Sequence, residues 1–168
     1  MPNKRKPLVG VMGASRCGEE VSKLAFRVGE LIAERGAVLL CGGMGGVMEA
    51  ACAGARQAGG LTIGILPGLD ERDSPPNQYV DVPIFTGLRD GRNWVNACAC
   101  DALIAIAGGY GTLSEIALAL KLGKPLVLLN TWKFEGDEQL PAPKKAATAD
   151  EAVELAFVQM AEVANRPD

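Results

Sequence analysis

Two glycine-rich stretches are the first residues in this chain that suggest chemistry. Gly42-Gly43-Met44-Gly45-Gly46 follows an apolar run ending at Cys41, and Ala107-Gly108-Gly109-Tyr110-Gly111-Thr112-Leu113-Ser114-Glu115 follows another ending at Ile106. Backbone freed of side chains just ahead of a helix offers unbonded N–H groups and the positive end of the helix dipole to an anion. Gly13 closes a third apolar run, and Ser15 lies two residues beyond it. The pattern points to a bound phosphate. Glu115 conflicts with it, because a carboxylate one helical turn past the glycines should repel the anion they attract.

Other chemistries are excluded by what is missing. The chain has no histidine, so no Ser-His or Cys-His triad and no histidine base exists, and a closed zinc site is not expected. There is no G-x-x-x-x-G-K-[ST] loop for ATP, and Gly10-Val11-Met12-Gly13 continues as Ala14-Ser15, not as a dinucleotide fingerprint. No lysine sits in the glycine loops, which removes a pyridoxal Schiff base. The five cysteines form no ligand pattern, and an odd count reads as reduced thiols acting as small apolar residues. Cys98 and Cys100 lie two apart on an expected helix and so face different ways.

The elements that must position the glycines follow from periodicity. Apolar runs at 8–12, 37–41, 61–66, 102–106 and 124–129 read as strands, and 80–85 as a short strand whose Pro83 places it at a sheet edge or a strand start. Helical spacing marks 19–35, 47–58, 89–100, 111–122 and 149–164, with Asp150 and Glu151 near the start of the last suiting its dipole. Residues 69–78 read as a solvated loop and 130–147 as irregular. Strands that are apolar throughout imply burial on both faces, hence a doubly wound, mostly parallel, Rossmann-like α/β three-layer sandwich. Such sheets bind ligands beyond the carboxyl ends of their strands, where all three glycine turns then fall. We expect a flexible tip at 1–6 and one domain at 7–168.

Composition narrows the partner. Among 168 residues, 48 % are apolar and the net charge is −3, which disfavours a nucleic-acid surface, and 5 % aromatic content disfavours a platform for single strands. No apolar run reaches the roughly 20 residues of a membrane span. The basic start MPNKRK precedes too short an apolar run for a signal segment. The expectation is a cytoplasmic protein with no membrane partner.

The two glycine stretches resemble the hallmark segments of the LOG-like superfamily, long labelled "possible lysine decarboxylases". Its best-known activity is cytokinin riboside 5′-monophosphate phosphoribohydrolase, with the motif P-G-G-x-G-T-x-x-E. The resemblance covers residues 7–130. GGVMEAACAGA, TIGILPG, VDVPIFTGL and GTLSEIALALKLGKPLVLLN look closest to a short bacterial branch with molybdenum-cofactor-carrier-like members, understood to bind a pterin phosphate without turning it over. Carried over by residue, the resemblance implies Glu115 and Arg92 as catalytic. It implies Gly13, Ser15, Gly43, Gly45, Gly46, Gly108, Gly109, Gly111 and Thr112 as phosphate-binding positions. Arg92 is expected to hold Glu115 or a phosphate oxygen bidentately and to keep the carboxylate ionised. Three departures bear on activity. Ala107 stands for the motif's proline, a mild change in loop stiffness. Asn93 stands for a lysine, and Glu49 for a glycine, adding a modulating carboxylate.

The resemblance also resolves the conflict over Glu115. Breaking a nucleotide's N-glycosidic bond develops positive charge on the ribosyl carbon, one sugar ring from the phosphate, where a carboxylate stabilises it and orients water. Binding of ribose hydroxyls and a structural Arg92–Glu115 pair stay open beside it. Two functions are therefore expected. One is hydrolysis of a nucleoside 5′-monophosphate to free base and ribose 5-phosphate, with no cofactor required. The other is non-catalytic carriage or sensing of a phosphorylated ligand such as the pterin cofactor. The family resemblance implies a homo-oligomer, a dimer or tetramer.

Overall fold

The structure is a computed structural model that describes residues 5–133 and 142–165. Most of the expected N-terminal tip and part of the irregular stretch 130–147 lie outside these. Arg5, the first described residue, forms an ion pair with Asp101 at 2.6 Å.

Among the described residues, seven strands form one sheet in the order β4-β3-β2-β1-β5-β6-β7. They are β1 (Leu8–Gly13), β2 (Val38–Cys41), β3 (Thr62–Leu66), β4 (Val82–Phe85), β5 (Ala102–Ile106), β6 (Leu126–Leu129) and β7 (Lys144–Ala146). All six pairings are parallel. β2, β5 and β6 are buried at every position, as runs without alternation require when helices cover both faces. β4 lies at an edge, where Pro83 needs no ladder partner for its missing N–H.

Five described helices cover the sheet: α1 (Glu19–Glu34), α2 (Val47–Gln57), α3 (Arg92–Ala99), α4 (Tyr110–Lys121) and α5 (Ala149–Ala164). Val28, Ile32, Ala51 and Val153 of α1, α2 and α5 pack on one face against Val9, Leu39 and Ile104. Ala97 and Ile116 of α3 and α4 pack on the other face against Met12, Leu40 and Leu103. Truncating the fully buried Ile104 to alanine would cost about 2–5 kcal/mol in transfer energy and cavity. Helix α5 is capped by Thr148, whose hydroxyl accepts from the Glu151 amide at 3.2 Å, while Glu151 accepts from the Ala147 amide at 2.8 Å.

Two expectations change. Residues 130–147 are not all irregular, since 144–146 form β7; its exposed Lys144 and Lys145 give an edge strand none of the apolar signal that betrays the others. Residues 89–100 are not one helix. Arg89, at φ 51°, starts a single 3₁₀ turn at Arg89–Gly91, and α3 begins at Arg92.

Candidate functional site

The chain runs β1 to β4 outward on one side of the sheet, then crosses back to place β5 beside β1. This reversal opens a crevice at the carboxyl ends of β1 and β5. There a cavity of about 350 Å³ is lined by Gly13, Ala14, Ser15 and Arg16 after β1, and by Met44 and Met48 from the β2 side. Asp90, Arg92 and Asn93 line it around the start of α3, and Gly109, Gly111, Thr112 and Glu115 after β5. The three glycine turns thus share one rim. A depression of about 430 Å³ lies at the opposite end, among Arg5, Pro7, Asp101 and α5. Its arginine is already paired with Asp101, and it faces the amino ends of the strands, so the smaller cavity is the better candidate.

The glycines do different work. Gly46 holds φ 63°, and a Cβ there would lie 2.4 Å from the Ala14 carbonyl oxygen; Gly46 lets the second turn lie against the first. The Val47 amide donates to that same carbonyl at 3.0 Å. Gly43, Gly45, Gly46 and Gly108 do not line the cavity, and neither does Glu49. Asn77, from the loop after β3, locks the second turn further, its amide donating to the Gly43 carbonyl and its side chain to the Met44 carbonyl, both at 2.8 Å. Gly109 and Gly111, by contrast, have open space where a side chain would project. Gly109 caps α4, and the Leu113 amide returns to the Gly109 carbonyl at 3.0 Å. The N–H groups of Tyr110, Gly111 and Thr112 are left without acceptors among the described residues.

Arg92 and Glu115 share the cavity but not a bond. Arg92 Nη1 donates to the Ile65 carbonyl at 2.9 Å, and Nη2 reaches Met44 Sδ at 3.6 Å. Gly42 makes that reach possible, since a Cβ there would lie 2.0 Å from Nη1. Glu115 is 7 % exposed and accepts at 2.8 Å from Asn96 Nδ2. Burial raises its pKa above the ordinary carboxylate value, against the opposing pull of Asn96 and Arg92. The bidentate couple that keeps Glu115 ionised is therefore not formed: desolvation outweighs an arginine turned toward a backbone carbonyl. Asn93 is a strut, its Nδ2 donating to Ser114 Oγ at 2.8 Å while Ser114 Oγ donates to the Gly111 carbonyl at 2.7 Å. Ala107 sits at φ 48°, a region closed to proline, so its departure from the motif reroutes the backbone and is more than a change of stiffness.

Sequence reasoning missed Arg16, Asp90, the two methionines and Asn96. Arg16 was findable as a cation one residue past the Gly-x-Ser turn. Asn96 was findable as a polar residue four positions after Arg92, hence on the same helix face. It is fully buried, and its Oδ1 has no hydrogen-bond partner among the described residues. The cysteines act as small apolar residues where Cys41, Cys52 and Cys100 are buried, whereas Cys98 is exposed. Among the described residues no cluster of three or more histidine, cysteine, aspartate or glutamate side chains could hold a metal ion. No described helix is long and apolar enough to cross a membrane.

A model of the SLOG cluster4 family matches residues 6–163. The cytokinin riboside 5′-monophosphate phosphoribohydrolase of Mycobacterium tuberculosis is 35 % identical over 132 residues, covering 73 % of this chain and 70 % of the relative. The molybdenum cofactor binding protein of the phototrophic bacterium Rippkaea orientalis superposes with a TM-score of 0.83 at 38 % identity, covering 94 % of this chain and 99 % of its own. The Moco carrier protein of Chlamydomonas reinhardtii superposes with a TM-score of 0.80 at 39 % identity, covering 95 % and 99 %.

Proposed function

From the premise that this chain belongs to the SLOG cluster4 family, on the Moco-carrier side of the LOG-like superfamily, we propose that it binds a phosphorylated small molecule and carries it without cleaving it. One observation carries the binding half of this reading. Gly111 and Thr112, whose amides lack acceptors among the described residues, line the same cavity as Arg16 and Arg92, and neither arginine is paired with a described carboxylate. A phosphomonoester dianion satisfies all of these donors at once. Arg92 is already oriented by the Ile65 carbonyl, so little side-chain freedom is lost when the anion binds.

Carriage is favoured by the full-length likeness to the molybdenum cofactor binding and Moco carrier proteins. The Glu115 carboxyl is buried and held by Asn96, and burial raises its pKa above the ordinary carboxylate value. A pterin phosphate, the cargo class of the full-length structural neighbours, suits such a site. Arg16, Arg92 and the α4 amides would hold its phosphate, and Glu115 would face the rest of the molecule.

The second reading is N-glycosidic hydrolysis of a nucleoside 5′-monophosphate. It is supported by the placement of Glu115 one helical turn beyond the same amides and by the phosphoribohydrolase relatives. There water adds to the ribosyl carbon, the base leaves with a proton, and ribose 5-phosphate remains. A homo-oligomer, a cytoplasmic location and the lack of a nucleic-acid partner belong to the same proposal.

Calorimetry and base-release assays on a panel of nucleoside monophosphates and ribose 5-phosphate separate these readings. Carriage predicts binding, weakened about 10- to 100-fold by Arg92→Ala, with no free base. Base release that disappears in Glu115→Gln establishes hydrolysis instead. Absence of any binding removes both.

A further inference from the structure

We propose that Met44 is a reversible oxidation site that controls the anion cavity: conversion of its thioether to the sulfoxide gives Arg92 an internal acceptor and weakens phosphate binding. This rests on the phosphate reading above and adds its regulation.

Arg92 commits Nη1 to the Ile65 carbonyl, while Nη2 faces Met44 Sδ at 3.6 Å. A thioether is a weak acceptor, so Nη2 gives it up to a phosphate oxygen at little cost. The methionine is held beside the arginine through its own main chain. Asn77 donates its side-chain amide to the Met44 carbonyl and its backbone N–H to the Gly43 carbonyl, both at 2.8 Å. Flanked by Gly43 and Gly45, the Met44 side chain lines the cavity and is 36 % exposed. The other described methionines are placed differently. Met12 and Met48 are 2 % and 6 % exposed, and Met160 lies on α5 in the depression at the opposite end. Oxidation follows access, so Met44 is the thioether that a peroxide entering this cavity meets first.

The oxidant is hydrogen peroxide. The sulfur lone pair forms the S–O bond, the O–O bond breaks, and the leaving hydroxide takes the remaining proton as water. Sulfur loses two electrons and the peroxide gains them. Two thiols of a reductase reverse the step, giving thioether, disulfide and water. The new oxygen carries a large partial negative charge. One bond out from Sδ, it reaches Nη2 by rotation about Cγ–Sδ, and a guanidinium N–H bonded to it is charge-assisted. An incoming phosphate must then displace an acceptor tethered beside the arginine, and it meets the negative end of the sulfoxide dipole.

Protein is treated with hydrogen peroxide and then with dithiothreitol, which returns disulfides and sulfenic acids at residues such as the exposed Cys98 to thiols. Peptide mass spectrometry locates the added oxygen, and calorimetry with ribose 5-phosphate reads the affinity. The switch predicts one oxygen on Met44 before Met12 or Met48 reacts, and an affinity roughly 3- to 30-fold below that of untreated protein. Methionine sulfoxide reductases of both epimer specificities restore it. Met44→Leu, which keeps every cysteine and the remaining methionines, retains through the same treatment the affinity of its own untreated form. A Met44 that stays a thioether overturns the proposal, as does a Met44 sulfoxide that binds with unchanged affinity. An equal loss in Met44→Leu, or a loss the reductases do not reverse, also overturns it. If untreated protein does not bind ribose 5-phosphate, the phosphate reading falls and takes the switch with it.

Discussion

The amino ends of α2 and α4 look alike in sequence, each a glycine-rich turn running from a buried strand into a helix, yet they differ in kind. At α2 the first amide is spent on the Ala14 carbonyl, Gly46 is pressed against backbone, and Glu49 stands in the first turn. At α4 the first three amides are open, Gly109 and Gly111 face empty space, and the first turn holds no acid. One turn is a buttress and the other a receptor. Glycine content alone does not separate them, because glycine serves both where another backbone must come close and where a ligand must.

The sharpest way to break this contrast is Gly46→Ala. A methyl group there meets a carbonyl oxygen at 2.4 Å from a backbone conformation that only glycine adopts readily, so stability should fall by about 3 kcal/mol in denaturant unfolding. Unchanged stability would mean the second turn is not a buttress.

Next in size is the pH dependence set by Glu115. Its folded pKa lies above the ordinary 4.5, so the native state holds the proton more tightly than the unfolded chain. Stability is then full below 4.5 and falls as pH rises through the folded value, by up to about 1.4 kcal/mol per pH unit within that window. Glu115→Gln, which keeps an acceptor for Asn96, should flatten that slope in urea titrations at several pH values.

Gly111→Ala should act in opposite directions on folding and on binding. Alanine suits a helix better by about 0.5–1 kcal/mol, and nothing lies within 4 Å of its methyl, so the free protein gains stability. The same methyl enters the cavity and should weaken phosphomonoester binding in calorimetry.

The smallest effect belongs to Glu49→Gln. Losing a negative charge near the rim should tighten phosphate binding a few-fold, in keeping with about 0.3–1 kcal/mol for a charge at a helix end. A large gain would mean that α2 also receives the anion.

Much of the fold was legible because its physics is local. Runs such as Ala102–Ile106 and Leu126–Leu129 are apolar at every position and bounded by turn residues, which only strands buried on both faces require. Strand β7 was not legible, since Lys144 and Lys145 are paired on one side only and carry no hydrophobic signal. The gathering of three turns on one rim followed from topology. Their division into buttress and receptor did not, because it depends on which backbone lies against which. The direction of Arg92 was likewise hidden: its partner, the Ile65 carbonyl, is a main-chain atom 27 positions away that no motif records.

Ala107 has a consequence for how this branch relates to enzymes of the P-G-G-x-G-T-x-x-E type. Its left-handed backbone and its N–H, which donates to the Leu129 carbonyl at 3.3 Å, are both things a pyrrolidine ring forbids. A single codon change to proline would not convert one loop into the other; it would unseat the corner that Thr131 fastens. A proline at this position requires the β5 and β6 ends to be redrawn together, because the Leu129 carbonyl and the Thr131 hydroxyl both hold Ala107.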